Sequence, residues 1–221
     1  MKRFLFCAVL ALAIGALAFA GTSTPELQIT DGSTVTVVGS AGAVSYSNSN
    51  FGGWDITIIA GASNSPTLSP FGLDLTALSA ECLAATCSTL VVDLSDIGFT
   101  QTASSLTVGY SATDTGAAAS TNEKGYYSTG NTYFALTSLV GEVGPFVGAG
   151  TFAGSVTGPG PGSTTYSLTL VNTFGACTGS GCASYSSDSD ITAPVPEPAS
   201  VALLGTVLVF GVWRFRRRKS V

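Results

Sequence analysis

Four cysteines in this chain share one spacing: Cys82-Leu-Ala-Ala-Thr-Cys87 and Cys177-Thr-Gly-Ser-Gly-Cys182. Cysteines so placed either pair oxidatively or ligate a metal. Four cysteines allow three connectivities, and an oxidising compartment favours disulfides. Local pairing, Cys82 with Cys87 and Cys177 with Cys182, is the first expectation. Each bridge closes a small loop and stabilises modestly, because a short loop restricts the unfolded chain little. A metal site built from all four thiolates is the alternative, although its usual signature is the tighter C-x2-C. No metal is expected.

The sequence contains no histidine. Ser-His-Asp and Cys-His catalysis therefore cannot be built within it, nor can the common zinc sites that use histidine. Asp93-Leu94-Ser95-Asp96 and Asp188-Ser189-Asp190 offer oxygen ligands for calcium. Calcium takes six to eight oxygens, and the EF-hand spacing with its terminal glutamate is missing. Asp93 and Asp96 are expected to end a strand, and Asp188 and Asp190 to solvate a linker. Paired carboxylates can hydrolyse glycosides without histidine, but no pair here is marked by neighbouring positioning residues. No G-x-S-x-G elbow occurs, and the glycines from Gly148 to Gly154 have the wrong spacing for a dinucleotide loop. The expectation is a protein without catalytic residues or a cofactor. Tyr126 and Tyr127, beside Lys124 in an expected loop, could stack on sugar rings. Trp54 could join them, but its alternating strand places it in a core.

These residues lie between two apolar ends. Lys2 and Arg3 precede an apolar run, Phe4 to Leu17, and Ala18-Phe19-Ala20 forms an A-x-A cleavage site, so 1–20 reads as a signal peptide. At the other end Val195-Pro196-Glu197-Pro198 leads into a second apolar run. This run, 199–215, spans on the order of 25 Å as a helix, slightly short of a hydrocarbon core of about 30 Å. Snorkelling and local thinning can close that gap. The flanking Arg214, Arg216, Arg217, Arg218 and Lys219 should stay cytoplasmic. Seven of the eight basic residues lie in these two ends. The body keeps only Lys124, with twelve of the thirteen acids. Nucleic-acid binding needs cations to neutralise phosphates and is excluded, as is the recognition of anionic sugars by arginine.

Pro196, Glu197 and Pro198, the segment Ala199 to Trp213 and the basic end Arg214 to Lys219 together resemble the PEP-CTERM sorting signal of exported bacterial proteins. The resemblance covers about an eighth of the chain. It implies recognition by a membrane sorting enzyme of the exosortase type and cleavage near the motif. It also implies association with extracellular polysaccharide in Gram-negative bacteria. The expected course is export across the inner membrane, anchoring through the C-terminal helix, then residence at the cell surface or in the extracellular matrix. Two alternatives stand beside it: a carbohydrate-binding module, and a single-span membrane protein that is never cleaved.

The body, 21–183, alternates apolar and polar residues between turn signals, the pattern of an all-β antiparallel sandwich of about eight or nine strands. Asp31-Gly32 between Leu27–Thr30 and Thr34–Val38 marks a hairpin. A strand is expected at Leu73–Leu75, and another from Tyr133 to Val140. Ala112 to Gly125 is expected to be a loop, Gly158 to Gly162 a turn, and 184–194 a linker ahead of the tail, 195–221.

Overall fold

A computed structural model of the protein describes residues 23–68, 71–116, 119–179 and 182–194. The expected signal peptide with Ala18 and Ala20, the motif Val195–Pro198, the apolar run and the basic cluster all lie outside them. Among the described residues no helix is long and apolar enough to cross a membrane.

Two six-stranded antiparallel sheets face each other. The first contains β1 (Glu26–Thr30), β2 (Thr34–Val38), β7 (Leu90–Phe99), β9 (Ser120–Ser128), β10 (Ser138–Val147) and β12 (Tyr166–Phe174). Its order is β10-β9-β12-β7-β1-β2. The second contains β3 (Ala43–Phe51), β4 (Trp54–Ser63), β5 (Leu73–Cys82), β8 (Ala103–Asp114), β11 (Gly150–Gly162) and β14 (Ser184–Thr192). Its order is β11-β8-β14-β5-β4-β3. The short strands β6 (Thr86–Cys87) and β13 (Cys177–Thr178) pair apart from both. The expected all-β sandwich therefore stands, with more strands than eight or nine.

Period-two alternation explains the core. Leu27 and Ile29 on β1, Leu90, Val92 and Leu94 on β7, and Leu168 and Leu170 on β12 all turn inward and are buried. Trp54 and Ile56 on β4 and Leu106 and Val108 on β8 meet them from the other sheet. Trp54 packs on Tyr185 with ring centroids 6.0 Å apart, and Tyr185 on Phe174 at 4.8 Å. The expected β1–β2 hairpin forms around Asp31-Gly32, with Thr30 opposite Thr34. Gly32 takes φ 113°, a conformation that L side chains rarely adopt. Gly125 serves packing instead. A Cβ there would lie 2.3 Å from Val108 Cγ2, so its hydrogen lets the two sheets approach.

Several expected boundaries give way. The expected loop Ala112–Gly125 is largely strand: β8 continues to Asp114 and β9 starts at Ser120. The expected linker 184–194 is mostly β14, a central strand hydrogen-bonded to β5 and β8. Both were hidden for one reason, since their inward positions are polar. β9 turns Thr121 and Glu123 inward, and β14 turns Ser187 and Ser189 inward beside Tyr185 and Ile191. The strand at Leu73 continues to Cys82. The strand expected from Tyr133 begins only at Ser138. Gly158 to Gly162 closes β11 instead of forming a free turn.

Candidate functional site

Both disulfides form with the local pairing, Cys82–Cys87 and Cys177–Cys182. The structure also brings the two bridges together, which the spacing did not foretell. Cys177 stands opposite Cys87 in the β6–β13 pair, and the Sγ atoms of Cys82, Cys177 and Cys182 lie within 4.8 Å of one another. All four cysteines are buried or nearly so. In disulfide form they present no thiolate to a metal. Each bridge closes its own turn, one after β5 and one before β14, and the β6–β13 pair joins the two turns.

The candidate aromatic platform does not assemble. Tyr126 and Tyr127 lie in β9, not in a loop, and consecutive strand residues point to opposite faces. Tyr126 faces outward, level with Thr169 and Leu139. Tyr127 turns inward and packs against the core. Trp54 is fully buried, and its Nε1 donates to the Ser88 carbonyl at 3.2 Å. One half-exposed tyrosine remains, near the Lys124–Glu142 ion pair at 3.5 Å.

The candidate acids, with Asp74 and Glu123, occupy three settings. Asp93 and Asp96 lie inside β7 and do not end a strand. Burial raises the Asp93 carboxyl to about 7. Asp96 is buried, and its Oδ1 accepts the Ile97 N–H at 2.8 Å. Asp188 and Asp190 lie in β14, with Asp190 opposite Asp74 of β5. Burial, then the charges of Asp188 and Asp190, raise Asp74 to about 6. The third setting, which the sequence did not reveal, is Glu123. It is fully buried between the sheets, and burial followed by the charge of Asp93 pushes its carboxyl well up. Ser189 and the Val171 backbone favour its charged form, yet neither closes a well-formed hydrogen bond to it.

A polar layer surrounds Glu123 inside the sandwich. Tyr110 shares a hydrogen bond with Thr121 and donates to Asn172 Oδ1 at 3.4 Å. Asn172 Nδ2 donates to Ser187 Oγ at 2.9 Å. This layer holds β8, β9, β12 and β14 in register across the two sheets, and it is closed to solvent. Only the alternation of β9, read with polar residues at inward positions, could have announced it.

Residues 194–218 match the family model of the PEP-CTERM protein-sorting motif. No curated protein matches the chain. Solved structures with similar coordinates include TmCBM61 in complex with β-1,4-galactotriose, at 11% identity and TM-score 0.35, covering 66% of this chain and 91% of that one. The N-terminal cellulose-binding domain of Cellulomonas fimi β-1,4-glucanase C gives 14% identity and TM-score 0.33, covering 71% and 91%. The K1 cleaved adhesin domain of Lys-gingipain from Porphyromonas gingivalis W83 gives 16% and 0.31, covering 69% and 99%. At these scores the likeness carries no ligand to this chain.

Proposed function

We propose that this protein, whose chain carries a PEP-CTERM sorting motif, is an exported, non-enzymatic surface protein. In this reading the signal peptide 1–20 starts export and the helix 199–215 holds the chain in the membrane. The basic cluster fixes its orientation, and an exosortase-like enzyme reads Pro196, Glu197 and Pro198. The β-sandwich is the cargo, delivered to the cell surface or the extracellular matrix. The matched motif at 194–218 is the observation that supports this most.

The strand β14 sharpens the proposal. It ends at Thr192, so only Ala193 and Pro194 separate a central strand from Val195. At about 3.4 Å per fully extended residue the motif begins no more than roughly 10 Å from the folded sheet. A sorting enzyme must therefore work close against the sandwich. Mass spectrometry of the mature protein tests the reading. The expected C-terminus falls near Val195–Pro198, and an intact Val221 would leave the uncleaved single-span anchor as the better account.

A further inference from the structure

Strand register in the second sheet lines up six hydroxyls that the sequence scatters over more than a hundred positions. Thr151 of β11 stands opposite Thr113 of β8, which stands opposite Ser186 of β14. Ser186 faces Ser79 of β5, Ser79 faces Thr57 of β4, and Thr57 faces Ser47 of β3. The row crosses the whole sheet, and all six residues are exposed. Strands lie about 4.8 Å apart, so the row is about 24 Å long and follows the twist of the sheet. Its β11 end opens into a cleft of about 380 Å³, where Thr76, Ser111 and Asp188 join Thr113, Thr151 and Ser186.

The charge on this face is one-sided. Asp188 lies beside the row, and Asp190 and Asp74 lie one position further along. The only basic side chain among the described residues, Lys124, is on the other sheet. An anionic polymer would therefore be repelled. Hydroxyls both donate and accept, so a row of them can meet the hydroxyls of an uncharged sugar in either chain direction. Carboxylates alongside accept from sugar hydroxyls in stronger, charge-assisted bonds. Short Ser and Thr side chains on paired strands are already ordered, so little freedom is lost on binding.

We propose that the outer face of the second sheet binds an extended, uncharged polysaccharide, which runs along the hydroxyl row with the units over β11, β8 and β14 in the cleft. No aromatic ring stands in the row, so affinity rests on hydrogen bonds exchanged with water, each contributing about 0.5–1.5 kcal/mol. A single domain then binds weakly, and display of many copies on one surface supplies avidity. The proposal rests on the exported-protein reading only for where such a polymer is met.

Native affinity electrophoresis of the full chain in non-ionic detergent tests it, with hydroxyethylcellulose as the neutral polymer and alginate as the anionic one. Hydroxyethylcellulose should retard the protein and alginate should not. The triple variant Thr57→Val, Ser79→Ala, Thr113→Val should weaken the retardation at least tenfold. A thermal melt checks that it remains folded. Tyr126→Ala, on the other sheet, should leave retardation unchanged. Retardation that survives the triple variant, depends on Tyr126 or appears only with alginate overturns the proposal, as does none with hydroxyethylcellulose. None of these outcomes bears on the C-terminal mass, so the two readings fail separately.

Discussion

The two outer faces of the sandwich use similar residues to opposite ends. On the first sheet one lateral row reads Leu139, Tyr126, Thr169, Ser95, Glu26, Val38 from β10 to β2. Its Ser95 and Thr169 hydroxyls are fully buried, and the segment 129–137 reaches them through Phe134. Ser95 Oγ donates to the Leu168 carbonyl at 2.9 Å, lies 2.9 Å from Thr169 Oγ1, and accepts the Phe134 N–H at 3.0 Å. On the second sheet the corresponding row is six hydroxyls wide and open to water. Residue type does not set the role of a serine on a β-sheet. What covers it does.

The largest expected effect breaks this contrast directly. Ser95→Ala removes the acceptor of the Phe134 N–H in a place closed to water. An unsatisfied buried group costs about 1–3 kcal/mol, and the segment 129–137 should loosen with it. Ser79→Ala, on the open face, should change stability by less than about 0.5 kcal/mol. Urea denaturation of both variants measures the difference. Equal losses would mean that the two faces are covered alike, and the contrast would be gone.

Acids sharpen the same contrast through pH. Asp93, on the outer face of the first sheet, is raised to about 7 by burial. Asp74, on that of the second, is raised to about 6 by burial and by Asp188 and Asp190. A carboxyl whose folded pKa is raised binds its proton more tightly in the native state. Its contribution to stability is then fully present below the unfolded pKa of about 3.9 and is lost as pH rises through the folded value. The protein should therefore be more stable at pH 5 than at pH 7.5. Asp93→Asn should flatten the loss up to about pH 7, and Asp74→Asn only its part below about pH 6. The deeply buried Glu123 acts in the same direction, so Glu123→Gln should stabilise the protein at neutral pH. A wild-type stability that rises between pH 5 and pH 7.5 would contradict all three assignments.

Legibility in the sequence followed the same division between apolar and polar positions. Where inward residues were apolar, as in β1, β4, β7 and β12, alternation alone located the strands and the core. Where they were polar, as in β9 and β14, the strands read as loop and linker. A hydroxyl or carboxyl facing inward is indistinguishable from one facing water until its neighbours are known. The cysteine pairing was readable because each loop is local. The clustering of the two bridges was not, because it depends on β6 meeting β13. The hydroxyl row is the extreme case: its members lie on six strands, and only register joins them.

The smallest expected effect concerns the only described cation. Lys124 meets Glu142 at 3.5 Å on the outer face of the first sheet, and both side chains are about a third exposed. Asn122 Nδ2 also donates to Glu142 Oε1 at 2.6 Å, so Glu142 keeps a partner if the lysine is removed. Partial exposure screens the ion pair, and such pairs contribute about 0.2–1 kcal/mol. Lys124→Met should thus cost less than about 1 kcal/mol, and the cost should shrink at high salt. A double-mutant cycle with Glu142→Gln isolates the pair. Coupling well above that range would show that the first face is as closed around Lys124 as it is around Ser95. Coupling near zero would extend the open region of that face from Tyr126 to the β10 edge, leaving the cover over Ser95 and Thr169 as the main structural difference between the two sheets.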